Sequence, residues 1–473
     1  MSRCLWHLAT LPAALVLGAC ATEVPQVLTP QILPPAFTGE MSDSQGIWPQ
    51  ADWWRGFGSA ELSELIARAQ SDNRGLAAAS ARVLQARALL TVQRSALFPQ
   101  FTLQSQTQRA LANSPRSTRN TFDLDVGASY PVDQWGITQS DVRSATETLK
   151  STRCARQAAA LTLIAGVANA YFSVLTLRER ILIANGDITA INNLLEVIKL
   201  KVSTGKSSRL DLAQEQAQVE AVEAQLPGLV EQELETRVAL AVLLGQPPEV
   251  LALVGQNPDT LSSPVVAPGL ASDLLSRRPD VAQAEANLAS AHANLDAARA
   301  AFLPQFTLTG NSGYASSRLE TLVRGPSFVW GAGAQLLQTL FDGGKLIGQR
   351  KLAAAVQTEL VANYQGAVLN AYADVEIALG QVSSSSKSEE HLQREVESAH
   401  EAFDIAQLQY RQGVAELLTV LQAQQTFFGA RDQLAQARLA HLQAVVHLYT
   451  ALGGGWVEPR EDRTQRTPSF AQK

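Results

Sequence analysis

Catalysis needs nucleophiles, acid–base pairs or metal ligands at set spacings, and this chain of 473 residues has few of them. Its three cysteines, Cys4, Cys20 and Cys154, fall into no metal-ligand spacing. The six histidines are scattered: His441 and His447 are six apart, off a shared helix face, and His391 and His400 lie among charges. There is no His-Glu-x-x-His, no phosphate-cradling glycine loop and no nucleophile elbow. No catalytic residue, metal ligand or cofactor is assigned, and the chain reads as a non-enzyme. One side chain stands in an informative setting, and it is Cys20.

Before Cys20 come a positive Arg3, an apolar run from Leu5 to Val16, and Leu17-Gly18-Ala19. That run is too short to cross a bilayer as a helix. The segment is similar to a bacterial lipoprotein signal, removed over residues 1–19, with Cys20 lipidated as the first mature residue. Ala21 rather than Asp follows, which in that class implies the outer membrane. Residues 20–50, rich in Pro, Thr and Gln, read as a lipidated tether. Trp48, Trp53 and Trp54 are expected to pack this segment against a helical bundle.

A formal net charge of −6 gives no basic footprint, so nucleic acid is not an expected partner. Hydrophobic residues make up 46% and aromatics only 6%, which suits long packed helices.

The chain is duplicated. Ala-Leu-Phe-Pro-Gln-Phe-Thr-Leu ends at Leu103 and Ala-Phe-Leu-Pro-Gln-Phe-Thr-Leu at Leu308, so Pro99 and Pro304 stand 205 residues apart. Each proline closes an apolar helical pattern, the first starting near Glu61, and opens an alternating one. Phe101 and Leu103 share a parity; after a polar turn over 112–120, so do Phe122, Leu124, Val126, Ala128, Tyr130 and Val132. Asp123, Asp125, Gly127 and Ser129 alternate with them. The second copy repeats this with Phe306, Leu308 and Tyr314, then Phe328, Trp330 and Leu336. A half-exposed soluble hairpin shows the same alternation as a membrane strand with lipid on one face and water on the other. The signal and the duplication favour the membrane strand.

No proline occurs between Pro131 and Pro227, or between Pro326 and Pro459. Helices there reach roughly 100 Å at a rise of about 1.5 Å per residue. Each folds back at a glycine: Gly205 before Ser207-Ser208, and Gly413, with Leu244-Gly245 and Leu452-Gly453 closing the returns. Pro227 should kink or break the first return, and Ser383–Ser386 reads as a soft spot in the second long helix. The expected organisation is a first repeat over 51–245, a linker over 246–271, a second repeat over 272–455 and a tail over 456–473.

Four strands cannot close a barrel, and an open edge in lipid strands backbone polar groups at several kcal/mol each. Closure must come from other copies. Three give twelve strands, and the helices should pack alongside one another as a hollow tube. The expected fold is mainly α with a membrane β-barrel, internally duplicated and closed as a homotrimer.

Several motifs carry a further resemblance. They are Trp53-Trp54-Arg55-Gly56-Phe57-Gly58, Arg277-Arg278-Pro279-Asp280-Val281, Ala301-Phe302-Leu303-Pro304, Tyr410-Arg411-Gln412-Gly413-Val414 and Tyr449 to Trp456. In this order the chain, over about residues 48–458, resembles the TolC-like outer membrane factors, and within them the NodT/OprM lipoprotein efflux channels. The resemblance implies the exit duct of a tripartite pump in the outer membrane, lipid-anchored and reaching into the periplasm. Its implied partners are a periplasmic adaptor and an inner-membrane transporter of the RND class. The family's docking tips fall on Thr204, Gly205, Leu210, Gly413, Val414 and Leu417, and its acidic gate on Asp211 and Glu416. Ala415 and Gln422 are neutral where relatives often carry Asp, which argues against a strong acidic ring at the second tip. An exit duct for one-step (type I) protein secretion and a non-conducting envelope spacer are the alternative readings. The Asp123/Asp125 face argues against the spacer.

Overall fold

A computed structural model describes residues 49–113, 116–255, 260–264 and 277–456, with the side chains of 112–117 excepted. The signal, Cys20, Trp48 and nearly all of the tether and tail lie outside the described residues, as does much of the linker.

The first copy runs through α1 (Ala60–Asp72), α2 (Arg74–Ser95), β1 (Gln100–Asn113), β2 (Arg116–Val132), α3 (Ile137–Ser203), α4 (Arg209–Glu223) and α5 (Leu226–Leu243). The second runs through α6 (Pro279–Ala300), β3 (Gln305–Ser316), β4 (Phe328–Leu337), α7 (Lys345–Gln412) and α8 (Leu417–Ala451). With 67 and 68 residues, α3 and α7 are each about 100 Å long.

Two details differ from the sequence reading and two sharpen it. The expected continuous helix up to Pro99 is broken at Asn73, whose extended backbone ends α1. Its side chain accepts from the Leu76 amide and donates to the Leu243 carbonyl, so one residue both caps α2 and pins it to the end of α5. The polar stretch over 116–120, expected as a turn, is strand instead, because every residue from Arg116 to Asn120 finds a ladder partner on β1. Pro227 breaks rather than kinks the return, standing in the first turn of α5, where its missing N–H costs nothing. The serines at 383–386 leave α7 unbroken, with Ser385 donating to the Val382 carbonyl.

The four strands form one antiparallel sheet in the order β1-β2-β3-β4. Near its middle, α3 crosses the main core. There Ile164, Val167, Tyr171, Phe172 and Leu175 meet Phe57 and Ile66 from the start of the chain, Leu240 of α5, Val375 of α7 and Val445 of α8. Trp53 is buried here and stacks on Tyr449, with ring centroids 4.9 Å apart, tying the beginning of the described chain to its end. This core accounts for the apolar run in α3, the one described helix long and apolar enough to cross a membrane.

Candidate functional site

The sheet's register decides what its faces are. Paired residues share a face, and the ladder sets Phe101 against Ala128, Leu103 against Val126, Leu124 against Tyr314 and Val132 against Phe306. It then sets Phe306 against Leu336, Leu308 against Ala334 and Ser312 against Trp330. The apolar rows of all four strands therefore coincide on one side. Asp123, Asp125, Gln104, Gln106, Thr309 and Asn311 fall on the other. Glycine is required on that polar side: a Cβ on Gly313 would collide with the backbone of Leu124 and Asp125.

At the far ends of the long helices lie two matching turns. Helix α3 stops at Gly205 (φ 73°), and the Lys206 amide returns to the Lys201 carbonyl at 2.8 Å. Helix α7 stops at Gly413 (φ 78°), and the Val414 amide returns to the Gln409 carbonyl at 2.9 Å. Thr204 is exposed, and its hydroxyl donates back to the Leu200 carbonyl. Ser208 and Asp211 form a reciprocal capping box at the start of α4. The Ser207 hydroxyl and the Ser208 amide hold the Asp211 carboxyl below its ordinary range. Glu416 precedes α8, exposed and without a side-chain capping bond.

Leu210 and Val414 are exposed at the turns, whereas Leu417, singled out with them, is only 4% exposed. It packs with Leu194, Ile198, Phe403 and Val420, because the inward stripe of α8 begins at its first residue. Leu418 carries the exposed apolar surface there. Lys201 also escaped the sequence reading: its Nζ donates to the Tyr410 carbonyl at 2.6 Å and lies 3.7 Å from the centre of that ring. Burial and then Lys206 lower its pKa. This link holds the two turns side by side, and nothing in the sequence sets Lys201 apart from its neighbours Lys199 and Lys206. Higher up, Arg431 donates to buried Asp187 at 2.8 Å, and Arg180 grips Asp432 through two bonds.

Among the described residues no three His, Cys, Asp or Glu side chains gather around a point that could hold a metal ion. His441 sits between Ser263 and Ser385, and His447 bonds Gln381. The geometry is that of a two-faced sheet joined to a long helical shaft with paired tips.

The sequence profile described as "Outer membrane efflux protein" matches residues 65–246 and again 270–454. The chain belongs to the outer membrane efflux protein family. The pyoverdine export outer membrane protein OpmQ of Pseudomonas aeruginosa is 37% identical over 470 residues, covering 96% of this chain and 98% of the relative. The toluene efflux pump outer membrane protein TtgC of Pseudomonas putida is 30% identical over 488 residues, covering 98% of each. Among solved structures, the open state of the MtrE outer membrane channel of Neisseria gonorrhoeae superposes with a TM-score of 0.83. It is 27% identical, and the match covers 89% of this chain and 96% of that one. The outer-membrane channel OprN gives a TM-score of 0.84 at 25% identity, covering 89% and 98%. This efflux protein is thus an outer-membrane exit duct, with its apolar sheet face for lipid and its helices for the periplasm.

Proposed function

We propose that three copies of this chain close a twelve-stranded barrel, anchored through lipidated Cys20 and standing on a periplasmic tube of α3, α4, α5, α7 and α8. The carrying observation is the agreement of all four apolar strand rows on one face of a sheet whose outer strands, β1 and β4, have no further ladder partner among the described residues. A sheet in lipid needs both edges joined, and copies of the same chain supply them. Exposed apolar side chains on α2 (Leu84, Leu89, Val92) and α7 (Ile347, Leu352) are available to the same neighbours.

In this reading the tips receive a periplasmic adaptor that joins the duct to an inner-membrane transporter of the RND class. Thr204, Gly205, Leu210, Gly413, Val414 and Leu418 form that surface, with Leu417 supporting it from beneath. Asp211 and Glu416 border the mouth. The cargo is a small molecule of the pyoverdine kind, since OpmQ from two Pseudomonas species matches at 37% and 38% identity over nearly the whole chain, ahead of the toluene-pump relatives. Deleting the gene and measuring pyoverdine-type siderophore in medium and periplasm tests this. Periplasmic accumulation is the expected result; unchanged export alongside new solvent sensitivity would reassign the cargo.

A further inference from the structure

Glu215 lies on α4, ten residues beyond the turn glycine Gly205. It is fully buried, and among the described residues neither carboxyl oxygen has a hydrogen-bond partner. Its companions on the inward stripe, Leu212, Val219 and Val222, pack on Ile188, Ile191 and Leu195 of α3. At the repeat spacing of 208 its counterpart is Ala423, packed into the apolar cluster of the second coil. The first coil thus carries a carboxyl group where the second carries a methyl. Gln424 is also buried with no side-chain partner among the described residues, but it is neutral and cannot titrate.

Among the described residues no cation compensates Glu215. On α3, Asp187 faces Arg431, Glu196 pairs with Lys199, and Lys201 is committed to Tyr410. On α4 itself, Asp211 is held in the turn, while Arg209, Glu220 and Glu223 are exposed. On α5, Glu233 pairs with Arg178 and Arg237, and Glu231 and Glu235 are exposed. Burial alone pushes the Glu215 carboxyl up to about 7.

We propose that Glu215 is a proton-operated release for the periplasmic tip: protonated, it lets α4 lie on α3, and ionised, it drives α4 off. The step is loss of one carboxyl proton to water, after which an unpaired charge must leave the apolar seam. The idea rests on reading the turns as the mouth of a duct. Its sign follows from linkage. A native pKa above the ordinary value of 4.5 means that packing is fully supported below that value and loses support as the pH rises through about 7. The mouth therefore loosens towards alkaline pH.

Hydrogen exchange on the full-length protein in lipid nanodiscs tests this, with rates corrected for intrinsic pH dependence and α8 as the internal reference. Protection across α4 should fall by up to about tenfold per pH unit between about 5 and 7. Glu215→Ala, which copies Ala423, and Glu215→Gln should both abolish the fall. Protection of α4 that ignores pH, or an unchanged fall in Glu215→Ala, would overturn the proposal. Planar-bilayer openings should rise over the same pH range in the natural protein only, and openings indifferent to pH would likewise overturn it. A protein that never conducts, yet whose α4 loosens on titration, would sink the duct reading while leaving the release standing.

Discussion

Arg278 donates to the carbonyl oxygen of Ala451 at 3.1 Å, and this bond is the second-copy equivalent of Asn73 donating to Leu243 at 2.9 Å. Both join the start of an upper helix to the end of a returning one. The glycines that follow are matched too: a Cβ on Gly245 would collide with the Asp72 carbonyl, and one on Gly453 with that of Arg277. The second copy adds charge to the joint, since the buried Arg278 guanidinium also grips Asp280 at 2.6 Å and Asp374 at 3.0 Å.

Arg278→Met should destabilise the protein by about 2–3 kcal/mol, below the usual cost of breaking a buried pair because both carboxylates are partly solvated. Arg278→Lys should recover only part of this, because one ammonium cannot serve acceptors spread over α6, α7 and α8. Thermal inactivation half-lives of the purified proteins report the difference.

Gly453→Ala and Gly413→Ala separate crowding from backbone strain. Both glycines have positive φ, at 86° and 78°, but nothing stands within 4 Å of a Cβ added at Gly413. Gly413→Ala should cost only the left-handed penalty of roughly 1–2 kcal/mol. Gly453→Ala must also displace the Arg277 carbonyl, and it should sharply lower the yield of folded protein in outer-membrane fractions.

Substitutions in the sheet should divide by parity. Val126→Lys, on the apolar face, should cost about 2–4 kcal/mol and reduce folding yield. Asp125→Asn, one residue away on the polar face, should fold normally and lower the cation-to-anion permeability ratio in planar bilayers. Equal effects of the two would contradict the assignment of faces.

At the first turn, Asp211→Ala removes a capping box and should cost about 1 kcal/mol locally, read as faster exchange of the first amides of α4. Its pH dependence is opposite to that of Glu215. The native Asp211 pKa lies below the ordinary 3.8, so its support is present above that value and lost as the pH falls through the lower one.

Lys201→Met should free the two turns from each other, raising spontaneous channel opening several-fold without changing the conductance of the open pore. The Tyr410 ring remains, so a methionine that fully preserved closure would show that apolar packing alone holds the turns.

Sequence alone determined the duplication, the strand parity and the reversals at Gly205 and Gly413, because each depends on local backbone preference and on periodicity that any one segment displays. It also marked the Asp123/Asp125 face as polar. Tertiary structure decided the rest. Pairing β2 with β3 brought two distant alternations into one register, which no single strand encodes. The break at Asn73 depends on a carbonyl 170 residues away. Leu417 adjoins the second turn yet is buried, because helix phase relative to a partner, rather than distance from a turn, selects the inward side. Lys201 and Glu215 look like ordinary helix-surface charges in one dimension; only packing shows that the first bridges two turns and that the second has been carried into an apolar seam.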